Sequence, residues 1–212
     1  MNRPLRVLAP MLFLALSGGC ALSMVASVAR HYMKVIDGQP VGEDAVGWVY
    51  VPGVALTKGN VIYDCGPETL TAVFHFWDRP LTIDEVAAET YRVKDKGTLS
   101  IDLALYSRRK GMAARMSRGN LTAIQKAILK GTPPIIMLDV ATLPIYTFKF
   151  ADPKSKWHFL VVTGYNDDTE EIMCELYEGQ KVLVHYQFLK KAWEKAGFFF
   201  LVVAPPERMP AS

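Results

Sequence analysis

The spacing of apolar residues changes part-way along the chain, and this change constrains the fold more than any other feature. Between residues 65 and 131, apolar residues recur every three or four positions, as on one face of a helix. From residue 133 onward, short runs rich in β-branched and aromatic residues are separated by turn residues, which is typical of strands. Helices first and strands afterwards predict an α+β domain, with an N-terminal helical layer packed on a C-terminal antiparallel sheet.

Four helices are expected in the first part. One begins at Cys65, and its apolar face carries Leu70, Val73, Phe74 and Trp77. A second follows Thr82, which forms a capping box with the residue three positions later. A third runs from about Ser100 to Arg109. The fourth, "NLTAIQKAILKG", ends at Gly131.

Five strands are expected in the second part: "PPIIMLDV", "HFLVVTGY", "EIMCELYE", "QKVLVHY" and "GFFFLVVAPP". The earlier run "WVYVPGVAL" contains Pro52, so it is at best an edge strand. With 212 residues, half of them apolar, the chain has enough material for one well-buried core. We therefore assign residues 48–206 to a single domain and residues 207–212 to a tail.

The N-terminus has the three regions of a secretory signal. Arg3 and Arg6 precede an apolar run, and small residues stand directly before Cys20. This order is similar to the lipobox of bacterial lipoproteins, which implies a signal over residues 1–19, a lipid on Cys20 and a tether over 20–47. The alternative is a retained membrane span, because no charged residue occurs from residue 7 to residue 29. Either way, we expect a protein of the bacterial cell envelope that faces the periplasm or the exterior.

Composition excludes several classes of function. The net charge is only +3, and lysine and arginine are scattered rather than clustered, so nucleic acid is not an expected partner. The three cysteines show no C-x-x-C spacing, and neither a glycine-rich phosphate loop nor H-E-x-x-H is present. We expect no metal and no cofactor.

Cys65 is the candidate nucleophile. A helix N-terminus stabilises a thiolate, because its unpaired N–H groups and the helix dipole both favour negative charge. The same N–H groups can hold the oxyanion formed when the thiolate attacks a carbonyl. Gly66 would allow a substrate backbone to approach, and Pro67 suits the first turn of a helix. Cys174, within a strand, is expected to be a packing residue.

His158 is the candidate base. It opens the strand "HFLVVTGY" directly after a loop, and strand ends next to loops are where sites are built. A cysteine at a helix N-terminus and a histidine at a strand end fit the pairing of a thiol protease. His31, His75 and His185 are expected to have structural or surface roles.

These residues resemble a known family, the papain-like cysteine peptidases that process bacteriocins after a double glycine, together with their standalone envelope relatives. "YDCGPETLTAVFHFW" is similar to the family's cysteine block and "WHFLVVTGYNDD" to its histidine block. The resemblance covers about residues 48–204. It implies a papain-like fold, a peptide substrate, Cys65 as nucleophile and His158 as general base and acid.

Two positions depart from the family pattern. Where the family has a glutamine that helps to hold the oxyanion, this chain has Gly59 and Asn60. Asn60 can donate the same hydrogen bond from a shorter arm, or it is only a turn residue. The aspartate that orients the histidine is also missing. Strand register puts Leu176 at its place, and Glu175 could serve only if the register slips or a bulge intervenes.

The expected function is that of a cell-envelope cysteine peptidase that is anchored to the membrane by a lipid. Intact Cys65 and His158 favour catalysis. Asn60 and Leu176 favour the alternative, a degenerate papain-like lipoprotein that binds peptides or partner proteins without turnover. Envelope relatives that also lack the aspartate resemble this chain in a C-terminal segment, here "FLKKAWEKAGFFFLVVAPP".

Overall fold

An antiparallel sheet runs through the molecule and carries helices on both of its faces. The structure is a computed structural model that describes residues 33–40, 45–59, 65–143 and 156–210. Its helices are α1 (Cys65–Phe76), α2 (Ile83–Thr90), α3 (Ser100–Arg109), α4 (Leu121–Leu129) and α5 (Tyr186–Lys195). The strands of the main sheet are β1 (Met33–Asp37), β2 (Trp48–Tyr50), β5 (Ala113–Arg118), β6 (Ile135–Asp139), β7 (Trp157–Asn166), β8 (Glu171–Glu175), β9 (Gln180–His185) and β10 (Phe199–Ala204). A separate hairpin pairs β3 (Tyr91–Arg92) with β4 (Gly97–Thr98).

The strands of the main sheet follow the order β1-β9-β8-β7-β6-β10-β5, and β2 also pairs with β7. Every pairing of neighbouring strands is antiparallel. β7 lies at the centre and is the longest of these strands. A bulge at Thr163 shifts its register against β8. His158 therefore lies in the regular first half of β7, before the bulge.

Alternation along β7 divides the core into two parts. Phe159 and Val161 pack with α1, α2 and α3 on what we call the α1 face of the sheet. Leu160 and Val162 pack with α4 and α5 on the other side, the α5 face. This arrangement confirms the predicted α+β fold with a helical layer on an antiparallel sheet. α5 was not predicted, and it adds a second layer.

Local signals fix the helix boundaries. The hydroxyl of Thr82 accepts the N–H of Glu85, and the Glu85 side chain accepts the N–H of Thr82, which confirms the predicted capping box. Asn120 Oδ1 accepts the N–H of Ala123 at 2.8 Å and caps α4. Within α1, the predicted face is buried: Leu70, Val73 and Phe74 are at most 1% exposed.

Part of the segment 20–47, which the sequence assigns to a tether, lies in the sheet. Residues 33–37 form β1, which pairs with β9 at the edge of the sheet, and Met33 is only 2% exposed. The folded domain therefore begins before residue 48. The predicted signal and Cys20 lie outside the described residues. Within the described ranges, no helix has the length and apolar character needed to span a membrane.

Candidate active site

Cys65 is the first residue of α1 and is half-buried. It packs against the apolar cluster of the α1 face, which includes Phe159. The hydroxyl of Thr69 donates to the carbonyls of Cys65 and Gly66, both at 2.9 Å, and so ties the first turn together. The N-terminal end of the helix, where backbone N–H groups favour a thiolate, is thus the end that carries the thiol.

The direction of α1 places Cys65 at the same end of the sheet as His158. Just past the other end of the helix, Trp77 Nε1 donates to the carbonyl of Val203 at 3.0 Å. β10 pairs with β6 through Leu201 and Ile135, so Val203 lies near the start of β6. The end of β6 pairs with the start of β7 at His158. Because α1 is about 18 Å long, its N-terminus reaches that end of the sheet.

His158 is the second residue of β7 and is partly buried. It pairs with Leu138, a member of the core on the α5 face. Burial lowers the pKa of His158 from an ordinary value of 6.5 to about 4. The imidazole is therefore neutral at physiological pH and able to accept a proton.

The two groups approach the site from different sides of the sheet. Strand alternation puts His158 with Leu160 on the α5 face, whereas Cys65 packs on the α1 face. The two side chains would therefore meet around the end of β7 rather than across a face. Each of the two residues takes part in at least one polar, ring or electrostatic contact.

Gly66 has a different role from the one expected. A Cβ atom at this position would lie 2.8 Å from the Cβ of Thr98, closer than side chains pack. The space beside the helix start is thus filled by β4 rather than left open for a substrate backbone. Glycine is needed here for the close approach of the β3–β4 hairpin to the start of α1 beside Cys65.

Glu175 does not have the partner that was predicted for it. Its Oε2 accepts a hydrogen bond from Lys181 Nζ, and Oε1 has no hydrogen-bond partner among the described residues. Both side chains of this ion pair are at most 5% exposed. Burial raises the pKa of Glu175, and the bond to Lys181 opposes that rise. The carboxylate is thus bound to Lys181 rather than to His158.

Leu176 is where the register argument placed it. It belongs to the core on the α5 face, the side to which His158 also belongs, whereas Glu175 points to the other face. The bulge in β7 lies at Thr163, beyond this point, and does not move Glu175 to the histidine side. The position of the orienting residue therefore holds a leucine.

Two polar residues near the nucleophile were not selected from the sequence. Glu68, one turn into α1, is only 4% exposed. Its Oε1 accepts the N–H of Gly59 at 2.5 Å, and its Oε2 accepts the hydroxyl hydrogen of Tyr177. An acidic residue in the first turn is ordinary in a helix, and no local signal links it to a tyrosine 109 positions away.

The remaining candidates behave as packing or surface groups. Cys174 is fully buried, and burial together with the charge of Glu175 raises the pKa of its thiol. His75 Nε2 donates to the carbonyl of Leu81, and His185 caps α5. Asn60, Cys20 and His31 lie outside the described residues. In the part of the chain that the structure describes, no cluster of three acidic, histidine or cysteine side chains could hold a metal ion.

Solved structures share this architecture. The peptidase domain of Streptococcus ComA, a bi-functional ABC transporter involved in a quorum sensing pathway, matches with a TM-score of 0.56 at 16% identity, covering 72% of this chain and 99% of that domain. A double glycine motif protease from an AMS/PCAT transporter, solved with its leader peptide, matches with a TM-score of 0.50 at 16% identity, covering 76% and 95%. This chain has the double-glycine peptidase fold.

A protein from Bacillus anthracis described as a C39-like peptidase has the same double-glycine peptidase fold. Its TM-score is 0.58 at 13% identity, covering 74% of this chain and 97% of that one. No family model matches the sequence, and no curated protein is detectably similar to it. The fold matches the family that the sequence resembles, over almost the whole length of each solved domain.

Proposed function

We propose that this protein is a cysteine peptidase that cleaves a peptide bond through a thioester on Cys65. The observation that carries the proposal is the placement of Cys65 and His158. A half-buried cysteine begins α1, and a neutral histidine begins β7 at the same end of the sheet. The double-glycine peptidase fold, shared with two solved proteases, supports this assignment.

The mechanism follows from these two groups. His158 takes the proton of the Cys65 thiol, and the sulfur attacks the carbonyl carbon of the substrate. The N–H groups at the start of α1 stabilise the oxyanion. His158 then returns the proton to the departing amine, which leaves a thioester. Water, deprotonated by the same imidazole, releases the acid and restores the thiol.

A peptide substrate is supported by the protease that was solved with its leader peptide. We propose a peptide with small residues before the cleaved bond as the first substrate to test. The membrane anchor through Cys20 and the envelope location are also proposals, and the support for them comes from the sequence of residues 1–20. Fractionation of cells that carry Cys20 or Cys20→Ser tests the anchor.

The test of the catalytic pair combines alkylation with hydrolysis. Iodoacetamide near neutral pH should label Cys65 at least 100-fold faster than Cys174, because Cys174 is buried and its thiol pKa is raised. His158→Ala should slow labelling of Cys65 at least tenfold, and Cys65→Ala should abolish cleavage of a double-glycine peptide. Mass spectrometry assigns each label to its cysteine.

The labelling experiment can also contradict the proposal. Equally slow labelling of both cysteines, with no cleavage, would contradict the peptidase proposal. It would favour the peptide-binding alternative. His75→Ala is the matched control, because that histidine bonds to the backbone of Leu81 and lies within α1 away from the thiol.

A further inference from the structure

The Glu68 carboxylate joins three separate parts of the chain close to the nucleophile. Oε1 binds the backbone N–H of Gly59, at the end of the segment that leads toward α1. Oε2 binds the hydroxyl of Tyr177, in the turn between β8 and β9. We call Gly59, Glu68 and Tyr177 the Glu68 junction.

The burial of Glu68 shows that this contact is more than a helix cap. A first-turn acidic residue is stabilised by the helix dipole without leaving solvent. Glu68 instead is 4% exposed, and burying a carboxylate is costly unless its oxygens are hydrogen-bonded. Both oxygens have donors that come from outside the helix. Hydrogen bonds to a carboxylate are stronger than neutral ones, so the junction holds its three parts firmly.

Tyr177 is itself held in place. Its backbone forms a parallel bridge with Leu56, and its carbonyl accepts the N–H of Gln180 at 3.1 Å. Its ring packs against the apolar cluster of the α1 face, as Cys65 does. The hydroxyl that binds Glu68 therefore comes from a fixed point of the sheet.

Gly59 stands six residues before Cys65 along the chain. The junction fixes the first turn of α1 against Gly59 on one side and against the β8–β9 turn on the other. Catalysis by a thiol at a helix N-terminus needs the N–H groups around it in exact places, and an error of about 1 Å can cost about 100-fold in rate. The Glu68 junction supplies that constraint.

We propose that Glu68 and Tyr177 are positioning residues, which hold the first turn of α1, where Cys65 lies, in the geometry needed for peptide cleavage. The proposal rests on the proposed peptidase function. Neither residue touches the reacting atoms in this scheme, and both act through the position of the first turn of α1.

Three variants test the junction. Glu68→Leu removes both acceptors at similar volume, and Tyr177→Phe removes one donor but keeps the ring. Glu68→Gln can still accept the Gly59 N–H while its amide donates to the Tyr177 oxygen, so it should rescue the contact. Tyr106→Phe, which deletes another buried tyrosine hydroxyl on α3, is the matched control.

We expect Glu68→Leu to lower kcat for peptide cleavage at least tenfold with KM within about threefold. Tyr177→Phe should give a smaller loss, and Glu68→Gln should stay within about threefold of the wild type. Alkylation of Cys65 by iodoacetamide forms no oxyanion, so its rate should stay within about threefold in all three variants. A role in stability alone would lower Tm and leave kcat unchanged.

Amide hydrogen exchange gives a readout that does not depend on cleavage. The Gly59 amide should exchange at least tenfold faster in Glu68→Leu, and close to the wild-type rate in Glu68→Gln and Tyr106→Phe. Unchanged exchange in Glu68→Leu, or the same loss of kcat in Tyr106→Phe as in Tyr177→Phe, would overturn the proposal. Should Glu68→Leu not fold, kcat of Tyr177→Phe decides. Absence of cleavage in the wild type refutes the peptidase function, while exchange at Gly59 still decides the junction.

Discussion

At the scale of single residues, the two described cysteines occupy contrasting environments. Cys174 is enclosed in the sheet, where burial and a neighbouring carboxylate raise its pKa. Cys65 begins a helix and keeps part of its surface open. The residue type is the same, and only the second location stabilises and exposes a thiolate.

His158 should make the stability of the protein depend on pH. Its pKa is about 4 in the folded chain and 6.5 ordinarily, because burial disfavours the charged form. Between these values the unfolded chain binds a proton that the folded chain does not, so the free energy of unfolding falls as the pH drops from 6.5 to 4. His158→Gln should reduce that slope by up to about 1.4 kcal/mol per pH unit.

Urea unfolding at several pH values from 4 to 7 measures this slope for the wild type and for His158→Gln. His75→Gln is the control, since that side chain lies at the surface and bonds to the Leu81 carbonyl. Identical slopes for the wild type and His158→Gln would show that the imidazole is not desolvated. The same result would remove the reason to treat it as a neutral base.

At the scale of elements, the end of β8 shows how strand alternation places neighbouring side chains on opposite faces of the sheet. Glu175 enters the α1 side and pairs with Lys181 on β9, the residue directly opposite it. Leu176 enters the α5 side and joins the core there. A one-residue shift in register would exchange the two. The ladder with β9 prevents that shift, so β8 places no carboxylate on the histidine side.

Removing one partner of the Glu175–Lys181 pair should lower the free energy of unfolding strongly, whereas replacing both partners by apolar residues should change it little. Lys181→Met leaves a buried carboxylate without its partner, which should lower the free energy of unfolding by about 3–5 kcal/mol at neutral pH. The double variant Glu175→Leu with Lys181→Met removes both charges, and we expect it to lie within about 1 kcal/mol of the wild type. Urea denaturation of the wild type, both single variants and the double variant completes the cycle.

The pH dependence of the single variant adds a check. Burial already raises the pKa of Glu175, so removing Lys181 should let the carboxyl take up a proton on mild acidification and recover part of the loss. Arg92 and Asp102 form an ion pair at the surface that serves as the control, and breaking it should change the free energy of unfolding very little. A loss from Lys181→Met as small as this would contradict the buried-pair argument.

At the scale of the whole molecule, the sequence predicts those structural features that depend on residues close to one another along the chain. Four helices, the capping box at Thr82 and five strands follow from periodicity and local motifs, and the structure confirms them. The fold also follows, because helices before strands leave few ways to cover both faces of a sheet. The placement of Cys65 at a helix start and of His158 at a strand start also follows from the local sequence.

The parts that sequence could not predict depend on distant contacts. Glu68 meets Tyr177 only because α1 crosses the sheet beside the β8–β9 turn. Gly66 faces Thr98 only because a short hairpin folds back over the helix start. The sequence assigns β1 to a tether, because a strand of five residues with a single buried side chain gives little signal until its pairing with β9 is known. These contacts depend on tertiary packing, so the periodic pattern of the sequence does not predict them.

β1 gives the last prediction, since it distinguishes an edge strand from a tether. A chain that starts at residue 40 lacks Met33, which is 2% exposed, together with the ladder to β9. Loss of one buried methionine and of an edge strand should cost about 2–3 kcal/mol, or about 5–10 °C in Tm, relative to a chain that starts at residue 31. The bare edge of β9 should also promote aggregation. Differential scanning calorimetry measures the change in Tm, and light scattering measures the aggregation. Equal Tm values for the two chains would show that residues 33–37 add no stability to the domain.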